Sequence, residues 1–195
     1  MSNHHLKGCL LCGGESKRMG FDKALIPHPR GGVWLTALIE ELLKLSLPLI
    51  VVSRHQAHKE LLIEYKDLFF LQEPPPWNGP LQALSRVLSD QPGQPLLVLP
   101  IDMPCLTGDV LQVLIEAWRN NPDQVAVAHD GKQLQPMLAV IPSAVPFQPL
   151  LMEQIGRGEL RWQDWLVKVP FQHVALPPDS LLNANRPEDL PAWTA

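Results

Sequence analysis

The sequence predicts an α/β protein, with three layers (α/β/α) built on a mainly parallel central sheet that carries a late β-hairpin. Three observations lead there. Short apolar runs of strand length alternate with segments whose apolar residues recur at helical spacing. Two of those runs, Lys7–Cys12 and Pro95–Leu99, are almost wholly apolar, the pattern of strands covered on both faces. Near position 130, Asp130-Gly131 separates two strand-like runs, a two-residue hairpin signal.

The elements follow in order. Strand one, Lys7–Cys12, opens into a glycine loop. Leu35, Leu38, Ile39, Leu42 and Leu43 form an apolar stripe that predicts a helix over Trp34–Leu45. Strand two is Leu49–Val52. Ser53 and Gln56 have capping-box spacing, so a helix is expected over His55–Tyr65. Strand three is Leu68–Leu71. Three prolines, Pro74 to Pro76, hold the next loop extended, and Gly79-Pro80 starts a helix over Leu81–Ser89. After strand four, Thr107 is placed to cap Gly108–Arg119. Gln124–His129 and Gln135–Ile141 make the hairpin. Ser143 to Ile155 reads as partly helical, Trp162–Val167 as a short amphipathic helix and Phe171–Leu176 as a last strand. Pro187 is expected to open a final helix, with Glu188 and Asp189 at its positive end.

The 195 residues suit one domain, on a prior of about 100–200 residues each. The 21 prolines are about twice the usual ~5% and stiffen the loops. A net charge of −4 argues against nucleic acid or an anionic membrane as the main partner. The polar start, with His4 and His5, is no secretory signal. The longest apolar run, near Leu45 to Val52, contains Pro48 and is far short of the ~20 residues that a membrane span needs. A cytoplasmic protein is expected, and an odd count of three cysteines fits a reducing compartment. Cys9-Leu10-Leu11-Cys12 spells a C-x-x-C pair, but residues three apart on a strand face opposite ways, so the thiols should not meet.

The chemistry gathers on Leu11 to Lys23. Gly13 and Gly14 follow a buried strand, and Lys17, Arg18 and Lys23 follow them. Glycines permit close backbone approach, and successive N–H groups form an anion-binding concavity. In an acidic chain, cations gathered on such a loop point to a phosphate-rich ligand. No register supplies a Walker A loop, and Gly13, Gly14 and Gly20 do not fit the dinucleotide fingerprint. A second acid stands out in Leu99-Pro100-Ile101-Asp102-Met103-Pro104: at the C-terminal end of a central strand, between two prolines, Asp102 is placed where α/β sheets bind ligands. Its hard oxygens suit Mg²⁺. Arg54 and His55, just past strand two, are candidate ligand contacts on the same ground.

The stretch Leu-Cys-Gly-Gly-x-Ser-x-Arg-Met-Gly-x-Asp-Lys-Ala, Leu11 to Ala24, resembles the signature loop of the molybdenum cofactor guanylyltransferases. Leu99 to Pro104 is similar to the family's L-P-C-D-M-P, with Ile101 in place of Cys. Asn183-Ala184-Asn185-Arg186-Pro187-Glu188-Asp189-Leu190 is similar to its closing N-x-N-T-P-E-D-L, with Arg186 in place of Thr. The resemblance implies a Rossmann-like nucleotidyltransferase fold, with about 1–105 as the nucleotide half and about 106–195 as the acceptor half. It implies GMP transfer from Mg·GTP to the terminal phosphate of molybdenum-loaded molybdopterin, with Mn²⁺ a possible substitute metal. Arg18 is then assigned to the leaving pyrophosphate, Lys23 to the α or β phosphate, and Asp102 to the metal and the nucleotide. Leu11, Cys12 and Gly13 would lend backbone groups to the base. Glu73 stands near the family's nucleotide-contacting Asp and becomes the candidate guanine or ribose contact. Gly13, where cytidylyl relatives have Ala, would leave room for a purine. Gln135-Pro136-Met137, Arg157 and Arg161 fall on the acceptor side, and Asn183 and Asn185 near metal and phosphates. A monomer with transient contacts to cofactor-insertion proteins is implied. Three alternatives stay open: a cytidylyltransferase for the same pterin, another small-molecule nucleotidyltransferase, and a non-catalytic nucleotide binder.

Overall fold

A computed structural model describes residues 6–14, 16, 19–90, 93–143 and 145–190. Seven strands make one sheet. They are β1 (Lys7–Leu11), β2 (Leu49–Ser53), β3 (Leu68–Gln72), β4 (Leu96–Pro100), β5 (Val125–His129), β6 (Leu134–Ile141) and β7 (Phe171–Ala175), in the spatial order β3-β2-β1-β4-β6-β5-β7. The pairs β1–β2, β2–β3, β1–β4 and β5–β7 are parallel, whereas β6 runs antiparallel to both β4 and β5. The expected mainly parallel sheet with a late hairpin is what forms.

The helices are α1 (Trp34–Leu43), α2 (Gln56–Leu61), α3 (Pro80–Asp90), α4 (Gly108–Asn120), α5 (Phe147–Gly156) and α6 (Trp162–Leu166). Alternating strand residues send side chains to opposite faces, and the core divides accordingly. Leu10, Val51, Leu97 and Leu99 pack with the stripes of α1 and α4 on one face. Cys9, Val52, Leu96 and Val98 pack with α3, α5 and α6 on the other, where Trp165 is fully buried. Cys9 and Cys12 fall in different cores and carry free thiols. Burial pushes the Cys9 thiol up to about 12 and raises that of Cys12 as well.

Four local expectations are corrected. The helix after β2 ends at Leu61 rather than Tyr65. Only His58 and then Leu62 are buried along it, too little apolar contact to extend a polar segment. Ser53 and Gln56 do not form a capping box: Gln56 bonds Glu60, and the Ser53 hydroxyl is engaged inside the protein. The hairpin loop holds four residues, because the Asp130 carboxylate accepts the N–H groups of both Lys132 and Gln133 at 2.8 Å. At the end of the chain, Pro187 opens a single 3₁₀ turn, Pro187–Asp189, whose Asp189 carboxylate accepts the Asn185 and Arg186 N–H groups. No described helix is long and apolar enough to cross a membrane.

Glu41 on α1 is only 2% exposed and ties three segments together. Its carboxylate accepts the Gly108 N–H at 2.8 Å, Lys44 at 2.7 Å and Arg30. It thereby places a negative charge at the N-terminus of α4. Burial by itself raises its pKa, but the Lys44, Gly108 and Arg30 donors more than reverse this, down to about 2. A carboxylate depressed in the folded state stabilises fully above its unfolded pKa, and the contribution is lost as pH falls toward the folded value. Glu41→Gln should therefore cost about 1.5–3 kcal/mol near neutrality. In urea titrations the gap between the two proteins should close as pH drops from ~5 toward about 2.

Candidate active site

The order of strands reverses at β1: β2 and β3 lie on one side of it, β4 on the other. A doubly wound sheet opens a crevice at the carboxyl ends of its strands at such a point. A cavity of about 440 Å³ lies there, a size that suits a nucleotide. Gly13, Gly14, Ser16 and Lys23 reach it from the loop after β1, and Pro100, Ile101 and Asp102 from the end of β4. Leu11, Val52, Pro80 and Ala83 supply apolar wall; Arg54, Glu73 and Trp77 line it from the segments that follow β2 and β3.

The phosphate-side groups converge on Lys23 and Asp102. The Lys23 ammonium donates to Asn185 Oδ1 at 2.9 Å and lies 3.8 Å from Asp102 Oδ2. The Asp102 carbonyl accepts the Ala184 N–H at 2.9 Å, so the closing segment is stapled to the end of β4. Burial raises the Asp102 pKa, and Lys23 opposes the shift. Asp102 Oδ1 is buried with no hydrogen-bond partner among the described residues. An orphaned carboxylate oxygen beside a cation is a fit for a hard divalent ion, with substrate phosphates completing its shell. Among the described residues no three His, Cys, Asp or Glu side chains gather to hold a metal by themselves.

The signature loop is held by contacts that sequence reasoning missed. Met19 is buried against Ile26, Trp34 and Ala184, so this motif residue is an apolar plug between the loop and the closing segment. Among the described residues of the loop, the left-handed backbone positions are Ser16 (φ 47°) and Gly20 (φ 76°) rather than Gly13 or Gly14. Asp22 uses one oxygen to accept the Ala24 N–H at 3.0 Å, which caps the turn carrying Lys23. Its other oxygen meets His58 Nε2 at 2.9 Å. His58 Nδ1 lies 2.8 Å from the Ser53 hydroxyl, which accepts the His55 N–H at 3.1 Å. His58 and Ser53 are fully buried. Burial pushes the Asp22 pKa up, but His58, the Ala24 N–H and the His55 charge outweigh it and leave it lowered. An ionised carboxylate only accepts, so His58 Nε2 donates to it. A polar relay thus ties the end of β2 to the turn that aims Lys23.

Elsewhere on the cavity wall, Glu73 is buried rather than solvated, and Arg86 on α3 donates to its Oε1 at 2.7 Å. Burial raises the Glu73 pKa against the opposing charges of Arg86 and Arg54. Trp77 donates its indole N–H to the Glu73 carbonyl at 3.0 Å, and the Arg54 guanidinium sits 4.6 Å from the centre of the Trp77 ring. Gly13 is the close-approach glycine: a Cβ there would stand 3.1 Å from Glu73 Oε2 and 3.4 Å from the Arg54 nitrogen. The room it keeps is therefore on the Glu73 side.

Other expected residues lie elsewhere. Cys12 does not line the cavity: it is buried in the core beside α1 and α4, with its N–H and thiol both turned to the Val52 carbonyl. Arg157 pairs with Glu153 on α5, and Arg161 precedes α6; neither lines the cavity. Asn183 donates to Gln135 at 2.8 Å, and Gln135 donates to Asp130 at 3.2 Å, which links the closing segment to the hairpin. Met137 reaches the cavity wall. Arg18 falls outside the described residues.

Fold and site together define an α/β protein whose sheet opens at its switch point onto a cavity lined by a glycine loop, a lysine, an aspartate and a glutamate. Residues 8–169 match the MobA-like NTP transferase domain, and the chain belongs to that family. A probable molybdenum cofactor guanylyltransferase of Rhodopirellula baltica is 36% identical over 195 residues, covering 95% of this chain and 90% of that one. A molybdenum cofactor guanylyltransferase of Ectopseudomonas mendocina is 32% identical over 187 residues, covering 94% and 89%. The molybdopterin-guanine dinucleotide biosynthesis protein A of Archaeoglobus fulgidus shares the fold, with a TM-score of 0.73 at 19% identity over 94% of each chain.

Replacing His58 with Ala strips Asp22 and Ser53 of their shared partner. It should cost about 1–3 kcal/mol of stability. Amide exchange at Lys23 and Ala24 should speed up more than in the β1–β4 core, which mass spectrometry of the exchanged protein would resolve.

Proposed function

We propose that this enzyme transfers GMP from GTP to the terminal phosphate of molybdopterin, releasing pyrophosphate and forming the guanine dinucleotide of the pterin. One observation carries the reading: a single cavity at the carboxyl ends of the strands is lined by Lys23, by Asp102 and by the buried Glu73. A nucleoside triphosphate needs a cation and a metal-holding acid for its phosphates and a polar group for its base, and we assign the lysine and the aspartate to the first and the glutamate to the second.

Residues 1–105 then make the nucleotide half and 106–195 the acceptor half. The acceptor is a phosphate monoester with a second pKa of about 6, already an anionic nucleophile at neutral pH. The reaction needs no general base, and the barrier is charge crowding and alignment. Lys23 is assigned to the α or β phosphate, and Arg18, outside the described residues, to the leaving pyrophosphate. A cation ~4 Å from a phosphate oxygen contributes on the order of 4 kcal/mol at an effective dielectric of 20. Asp102 would hold Mg²⁺, or Mn²⁺ in its place, through the orphaned Oδ1; bound there, the ion neutralises phosphate charge. Asn185 keeps the Lys23 ammonium from collapsing onto Asp102 by holding it at 2.9 Å. The backbone at Leu11 and Gly13, and the carboxylate of Glu73, face the base.

The test is pyrophosphate release with GTP or CTP, with and without Mg²⁺ and molybdenum-loaded molybdopterin. Release should require GTP, metal and pterin together, and Asp102→Asn should lower turnover at least about 100-fold with the fold retained. Release with CTP in place of GTP would reject the guanylyl assignment, and GTP binding without any turnover would leave a non-catalytic binder. Gly13→Ala forces a methyl against Glu73 Oε2. It should weaken GTP binding about tenfold or more, measured by calorimetry.

A further inference from the structure

Behind the Glu73 side of the cavity stands a residue that the proposed reaction does not use. Arg86 lies behind the cavity wall on α3 and spans two groups. One guanidinium nitrogen donates to Glu73 Oε1 at 2.7 Å, the other to the Pro76 carbonyl at 3.0 Å. The fork therefore fixes the Glu73 side chain and the proline loop in one geometry. The loop has two further ties: Glu73 N–H to the Ser53 carbonyl at 2.9 Å, and Trp77 to the Glu73 carbonyl. Held this way, Glu73 keeps Oε2 on the Gly13 side, where the cavity opens.

We propose that Arg86 is the positioning residue for base selection: it orients Glu73 so that the remaining carboxylate lone pairs read a base edge carrying two adjacent donors. This rests on the proposed GTP reading and adds to it how the base is chosen. A carboxylate offers about four acceptor positions, and Arg86 uses one. Guanine presents an N1–H beside a 2-amino group, two donors that match such an acceptor. Cytosine and adenine each present an amino group beside a ring nitrogen acceptor, which faces the carboxylate lone pair to lone pair. Hypoxanthine keeps the N1–H and lacks the amino group. A site built to pair with a polar group rejects the analogue that lacks it, because its own buried group is left unpaired. Glu73 is 7% exposed, so it is under that constraint. Without Arg86 its strongest cationic partner is gone, and the buried carboxylate has no reason to keep one rotamer. Arg86 itself does not line the cavity, so it acts through Glu73 and not on the nucleotide.

Calorimetric titration with Mg²⁺ and GTP, ITP or CTP tests this on the whole chain and on Arg86→Met, Arg86→Lys, Glu73→Gln and the Arg86→Met/Glu73→Gln double variant. The original protein should prefer GTP to ITP by about tenfold or more, the worth of a hydrogen bond to a charged group. Arg86→Met should bring the two within about twofold, and Arg86→Lys, with one donor in place of a fork, should fall between. In the Glu73→Gln background the Arg86 change should leave the ratio where Glu73→Gln alone puts it. A general loss of folding would lower affinity for all three nucleotides together and would not level GTP with ITP. An unchanged GTP:ITP ratio in folded Arg86→Met overturns the proposal; if that variant does not fold, an unchanged ratio in Arg86→Lys does so. Absence of GTP binding by the original protein overturns the GTP reading itself, and this inference with it. Strong GTP preference that ignores Arg86 overturns the inference alone.

Discussion

A half-buried acid at the end of β4 sets the terms for the rest of the site. Asp102 has been taken largely out of water, and a carboxylate in that position needs compensating charge. Lys23 supplies it at 3.8 Å, but it is 79 positions earlier in the chain and must be brought there by the loop after β1. The closing segment completes the arrangement, with Ala184 bonded to the Asp102 backbone and Asn185 to the Lys23 ammonium. Three remote stretches therefore meet because one acid must be neutralised. The same juxtaposition leaves Asp102 Oδ1 available for a metal ion.

Two sets of supports hold the cavity. On the Lys23 side, the Asp22–His58–Ser53 relay and the Met19 plug hold the signature loop. On the Glu73 side, Arg86 and Trp77 hold Glu73 and the proline loop. Ser53 touches both systems: its hydroxyl meets His58, and its carbonyl accepts the Glu73 N–H. The carboxyl end of β2 is thus the shared post on which both sides of the cavity are mounted.

Much of the fold was legible because burial writes itself into periodicity. The apolar runs of β1, β2 and β4 and the stripe of α1 came through with ends shifted by a residue or two, and so did α4, read from its Thr107 cap. Misreadings fell where local chemistry competes with contacts not visible in the chain. Ser53 had the spacing of a cap, yet a buried His58 engages its hydroxyl from five residues on. Asp130-Gly131 had the signature of a two-residue turn, yet the Asp130 side chain stabilised a longer one. In the site, Lys23, Asp102 and Gly13 were legible from motif and placement. His58 and Arg86 were not, since neither carries a local pattern; Met19 stood in the motif, but its packing against Ile26, Trp34 and Ala184 shows only in the fold.

The sequence by itself determined the layers, the strands near the start, the glycine loop that follows β1 and the acid at the end of β4. Those depend on short-range patterns: period, glycine and proline placement, and charge beside a buried run. Only the tertiary structure decided which groups meet. It buried Cys12 in the core and gave Asn183 to the hairpin and Asn185 to Lys23. It also made Glu73 a buried, clamped carboxylate where a solvated one would have had the same sequence context. The reason is physical: pairing of buried charges is settled by distance in the folded chain, and positions 23, 102 and 185, or 73 and 86, become neighbours only once the sheet has set its order.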